Sequence, residues 1–113
     1  MDAHSIVATA RALQPLLREH LVEGERRARL TPAVVTAVGQ AGLFRILAPR
    51  EVGGLEASPS VTLAAVEAVS AADPAVGWYM GNSMAACLAA AALEEKERAL
   101  RDKIGRASCR ERV

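Results

Sequence analysis

Along the first twenty residues, Ile6, Ala10, Leu13, Leu17 and Leu21 recur at spacings of three and four, the stripe of a helix that buries one face. Pro15 lies inside that stripe and is predicted to bend the helix, because it offers no N–H to the carbonyl of Arg11. Residues 23–29 are charged and include Gly24, which fits the solvated end of this helix and its loop. A second helix is predicted from residue 32 to about 41, burying Val34, Val35 and Val38 and stopping at Gly42, a residue suited to the left-handed cap position. Leu43, Phe44, Ile46 and Leu47 then form an apolar plug, extended or briefly helical, closed by Ala48-Pro49 and followed by a turn at Val52-Gly53-Gly54. A third helix is expected from residue 59 to about 72 with Leu63, Val66 and Val69 inward. A fourth starts at Asp73-Pro74 and continues to about residue 93, and a short charged helix follows to about residue 102.

Three of the five prolines stand directly after a capping residue, at Thr31-Pro32, Ser58-Pro59 and Asp73-Pro74. The side-chain oxygen of each pair can accept an orphan backbone N–H, while proline at the first helical position loses nothing by lacking its own. No segment alternates in the manner of a strand, and no internal repeat is present. The 113 residues leave room for one domain. With 24 alanines, 51% hydrophobic residues and only 3% aromatic ones, they favour closely approaching helices around a buried core. The fold class this implies is all-α, an up-and-down helical bundle.

Charge and chemistry narrow the partners more than the activity. Fourteen Lys and Arg stand against thirteen Asp and Glu, so a net charge of +1 gives no electrostatic case for nucleic acid or an anionic membrane. Arg26, Arg27 and Arg29 interleave with Glu23 and Glu25, as on a solvated helix end. Cys87 and Cys109 have neither zinc-site nor redox-pair spacing, which fits a reducing, cytoplasmic setting, with Cys87 as a small core residue. His4 and His20 lie far in sequence from any Cys or paired carboxylate, so no metal site is expected. Residues 74–93 are uncharged and long enough to span a bilayer, but Gly77, Gly81, Asn82, Ser83 and many alanines favour a buried core helix. The sequence opens without a basic region or an apolar run, so no secretory signal is expected. Glu94, Glu95 and Glu97 sit beside Lys96, Arg98 and Arg101 as solvated pairs rather than acid/base catalysts. No catalytic constellation emerges, and Gly53-Gly54 alone does not make a phosphate site.

Taken in order, Leu30-Thr31-Pro32, Ala41-Gly42-Leu43-Phe44-Arg45, Pro49, Gly53-Gly54 and Ala72-Asp73-Pro74-Ala75-Val76-Gly77-Trp78 resemble the amino-terminal helical domain of the acyl-CoA dehydrogenase superfamily. The Gly-Trp version also resembles the branch containing flavin-dependent monooxygenases of aromatic or polycyclic substrates. Val52 stands where an aromatic residue often precedes the Gly-Gly pair. The resemblance implies a parent flavoenzyme, with FAD as cofactor, built from this domain, a middle β-domain and a carboxy-terminal bundle. It implies α,β-dehydrogenation of an acyl thioester, in which a carboxylate takes the α-proton and the β-hydrogen leaves as hydride. Monooxygenation on the same fold is the alternative, and a free-standing, non-catalytic helical interaction module is the rival from another class. The catalytic base and most flavin contacts would lie beyond this chain, so residues 1–102 alone are expected to be inactive and not to hold FAD tightly. The parent is expected to act on acyl-CoA or another small molecule and to form a homo-oligomer.

The resemblance also offers candidate substrate-binding residues. Met80-Gly81-Asn82-Ser83-Met84 is similar to a stretch that borders the acyl-chain pocket in acyl-CoA dehydrogenases. Val76, Met80 and Met84, spaced by four, share one helix face and form the candidate wall, where flexible methionines suit flexible chains. The competing reading of the same stripe is plain core. Trp78 would pack either on the flavin-binding part or in the interior. The last residues, 103–113, lose apolar periodicity and become rich in Arg. Back-translated, residues 104–113 resemble a widely used short-read sequencing adapter, so 103–113 is expected to be a non-native or disordered tail.

Overall fold

A computed structural model describes residues 2–91 and residue 102. Five α-helices carry the described chain: α1 (Ala3–Ala12), α2 (Gln14–Arg27), α3 (Pro32–Gln40), α4 (Pro59–Ala72) and α5 (Pro74–Ala91). Single 3₁₀ turns at Leu43–Arg45 and Arg50–Val52 lie between α3 and α4, and no strand occurs among the described residues. The expected tail at 103–113, most of the charged helix expected before it, and Cys109 lie outside the described residues.

The amino-terminal stripe is interrupted where proline demands it. α1 ends at Ala12 and α2 begins at Gln14, with Pro15 in its first turn. The Leu13 N–H reaches back to the Thr9 carbonyl at 3.2 Å and the Ala10 carbonyl at 3.3 Å, and the Leu13 carbonyl accepts from the Leu17 N–H at 3.0 Å. The chain thus stays near-helical, and a backbone N–H at the carboxy-terminal cap of α1 serves the Arg11 carbonyl that Pro15 cannot. Ile6, Ala10 and Leu17 are buried on one face, with Leu13 and Leu21 half-buried at its margin. At the other end of α2, Glu23 bridges Arg26 and Arg27, each at 2.6 Å. Hydrogen bonds from Arg26 first and then Arg27 hold the Glu23 carboxyl below the usual carboxylate range.

All three capping pairs act as their residue types require. Thr31 Oγ1 accepts from the Val34 N–H at 3.4 Å, Ser58 Oγ from the Val61 N–H at 3.3 Å, and Asp73 Oδ1 from the Ala75 N–H at 2.9 Å. α3 ends one residue earlier than expected, at Gln40, and Gly42 takes the left-handed conformation after it. Of its three inward valines, Val34 and Val38 are buried and Val35 is half-buried.

The apolar plug is helical rather than extended and buries Leu43, Phe44 and Ile46. The chain then doubles back: the N–H groups of Leu55, Glu56 and Ala57 donate to the carbonyls of Arg45, Ala48 and Ile46 at 3.1, 3.0 and 2.9 Å. These bonds satisfy backbone groups that a connection packed on the core would otherwise leave unpaired.

α4 is the hub of the bundle, packed against α1, α2 and α5. Here the sequence expectation needs correction. Leu63 is 69% exposed and Val66 is half-buried, and only Val69 of the expected trio is buried. The inward face instead carries Thr62, Ala65, Ala68, Val69 and Ala72. A helix gripped by three neighbours packs through its smallest side chains, because a leucine on that face would hold the axes apart. Thr62 tolerates burial by donating its hydroxyl to the Ser58 carbonyl at 2.9 Å. Gln14 ties α2 to this hub through its Nε2, which donates to the Ala68 carbonyl at 2.8 Å. Leu63→Ser is therefore expected to change unfolding free energy by no more than about 0.5 kcal/mol. A urea-measured loss of about 2 kcal/mol, the scale of a buried leucine, would contradict this orientation of α4.

Candidate functional site

The sequence directs attention to α5, whose buried face is Val76, Met80, Ser83 and Cys87, at spacings of four, three and four. This face packs on α4 and on the 3₁₀ turn that carries Phe44. Close approach to α4 depends on Gly77, since a Cβ there would overlap the Ser70 side chain. Cys87 is buried, as a small core residue should be. No helix among the described residues is long and apolar enough to cross a membrane.

The candidate wall residues separate in the folded chain. Val76 and Met80 are completely buried among core side chains, whereas Met84 is half-buried and packs against that core from its edge. Of the three, Met84 alone reaches the surface. Asn82 is half-buried and makes no side-chain hydrogen bond among the described residues. Trp78 is 72% exposed, which removes the interior of this bundle as its packing site. With Leu88, 56% exposed, it leaves an apolar strip on the side of α5 that faces away from the core.

A second feature has no counterpart among the sequence expectations. Between the carboxy-terminal end of α2 and the start of α5 lies a cleft of about 240 Å³. α2 and its exit supply Leu21, Gly24, Glu25, Ala28, Arg29 and Leu30, while α5 and its cap supply Asp73, Ala75 and Tyr79. Residues 21–30 and 73–79 are far apart in sequence and share the cleft wall only in the folded chain, so no spacing within either segment announces the cleft. The local geometry that opens it is the end of α2, where a left-handed Ala28 turns Arg29 and Leu30 toward the cleft.

The cleft, about 240 Å³, is smaller than the roughly 300–1,000 Å³ of pockets that enclose drug-sized ligands, and Gly24 is the one glycine in its lining, so it has no glycine-rich phosphate cradle. A flavin does not fit it.

The sequence profile of the family described as "Acyl-CoA dehydrogenase, N-terminal domain" matches residues 3–106. The chain belongs to this family, and its all-helical fold agrees with it. Among curated proteins, it is 34% identical over 85 residues to indole-3-acetate monooxygenase of Pseudomonas putida, covering 71% of this chain and 22% of that protein. It is 36% identical over 67 residues to the flavin-dependent monooxygenase oxygenase subunit HsaA of Rhodococcus jostii, covering 59% and 18%. The corresponding subunit of Mycobacterium tuberculosis is 30% identical over 77 residues, covering 68% and 20%. The chain thus spans about a fifth of the length of the curated relatives it matches. No solved structure matches it significantly.

Proposed function

We propose that the chain is the amino-terminal helical part of a flavin-dependent oxidoreductase, with FAD as cofactor, that acts on a small molecule. The observation that carries this reading is the family match over residues 3–106. Its fraction of the relatives' length supports placing the redox chemistry in further chain. The flavin supplies two-electron redox chemistry. This domain supplies a rigid helical wall: Met84 contacts substrate at the surface, and Val76 and Met80 fix the helix from behind.

Two reactions remain on this reading. The family's name favours α,β-dehydrogenation of an acyl thioester. The relatives' names favour monooxygenation by reduced flavin and O₂. Reading the source DNA across the codon for Asp102 comes first, followed by purification of the encoded product. Acyl-CoA-dependent reduction of an electron acceptor selects dehydrogenation, whereas substrate-dependent oxygen incorporation with supplied reduced flavin selects monooxygenation. A reading frame that closes at residue 113, with no flavin binding by the product, overturns the proposal in favour of a free-standing helical module. In an active product, Met84→Trp should raise KM about tenfold or more by filling the wall, while the unfolding midpoint moves little. An unchanged KM would remove Met84 from the wall.

A further inference from the structure

We propose that the cleft between α2 and α5 is a binding site for a primary ammonium group carried on a short apolar stem. Asp73, in the cleft wall, is only 6% exposed yet carries a formal negative charge. One of its oxygens is committed to the Ala75 N–H at 2.9 Å, and the other has no hydrogen-bond or ion-pair partner among the described residues. Buried carboxylates are ordinarily saturated by donors, and by charged donors most effectively. The cleft wall adds Glu25 and Arg29, so its three formal charges sum to −1, which a single monovalent cation neutralises.

The helix ends agree with that sign. The carboxy-terminal end of α2 carries the negative end of its dipole, although its Gly24 and Glu25 carbonyls already accept from the Arg29 and Ala28 N–H groups. The amino end of α5, which would otherwise attract an anion, is closed by Asp73 itself. Leu21 and Leu30 give the stem an apolar wall, and Tyr79 contributes an aromatic ring of the kind that attracts ammonium groups. The volume of about 240 Å³ suits one such group rather than a nucleotide or an extended acyl chain. The site is separate from the surface around Met84 and goes beyond the oxidoreductase reading.

The test uses n-pentylammonium chloride as the probe and 1-pentanol as its uncharged counterpart, titrated into the 113-residue protein with amide shifts followed by NMR. Saturable shifts at Arg29, Ala75 and Tyr79 with the ammonium but not with the alcohol are expected. Asp73→Asn keeps a side chain that caps helices equally well, so it should remain folded while weakening the probe about tenfold or more. Glu25→Gln, at the rim of the cleft, should weaken it by about two- to fivefold. Equal shifts with alcohol and ammonium, or affinity unchanged in both variants, overturn the proposal and leave a hydrated cleft. No binding to the unmodified protein overturns it as well, as when Arg29 already neutralises Asp73 in solution. If a longer gene product exists, retained binding there identifies a free amine as the ligand. Binding lost there but present in the 113-residue protein identifies a lysine of the added chain.

Discussion

Phe44→Ala is expected to remove about 3–5 kcal/mol of unfolding free energy, the range for deleting a buried aromatic ring. Phe44 is 2% exposed and is the sole phenylalanine in the sequence. It sits in a three-residue 3₁₀ turn between left-handed Gly42 and buried Ile46, and that turn packs on both α3 and α5. Two features make collapse around the missing ring difficult. The turn is anchored on one side by the Arg45 N–H donating to the Gly42 carbonyl at 3.0 Å. On the other it is anchored by the returning segment, which bonds to the Arg45 and Ile46 carbonyls. The cavity should therefore persist. Total stabilities of single domains are about 5–15 kcal/mol, so this one change takes a large share and should leave the variant partly unfolded in modest urea. Phe44→Leu, which keeps much of the volume, should cost about 1.5 kcal/mol or less. Urea titrations of the two variants check the pair, and a loss below about 1 kcal/mol for the alanine would show that the plug is not part of the core.

Gly54→Ala should be the next most damaging change, at about 2–3 kcal/mol. A Cβ at residue 54 would fall on the Ala48 carbonyl group and its Cβ. The obstruction is backbone, so a rotamer change cannot relieve it. Moving the segment away would strain the hydrogen bonds from Leu55, Glu56 and Ala57 that hold it against residues 45–48. The neighbouring Gly53 presents a different problem. Its φ of +87° disfavours a side chain, but the nearest obstacle is the far end of the Arg45 side chain, which can swing aside. Gly53→Ala should accordingly cost about 1–2 kcal/mol, from backbone conformation alone. Thermal unfolding of the two variants should rank Gly54→Ala below Gly53→Ala. The reverse order would mean that the loop closes less tightly on Ala48 than the structure shows.

The glycine pair shows how far a sequence can be read. A turn at residues 52–54 follows from composition, but the greater demand on the second glycine follows from Ala48, six residues earlier and brought close by the fold. The same division runs through the α5 candidates. Four-residue spacing places Val76, Met80 and Met84 on adjoining turns. Which of them meets solvent depends on where α4 and the Phe44 turn lie against that face, and they bury the first two. Asp73 was legible as a cap, and its place in the wall of a cleft with Glu25 and Tyr79 was not.

By itself, the sequence determined the helical class, the starts of α3, α4 and α5, the break near Pro15, the cap at Gly42 and the family, because these rest on interactions within a few residues or on ordered motifs. Tertiary structure decided the rotation of α4, which turns Leu63 outward and its alanines inward. It also divided the Met80–Met84 face between core and surface and formed the α2–α5 cleft. Each of these depends on how closely one helix approaches another, and that distance is set by side chains from distant parts of the chain packing together.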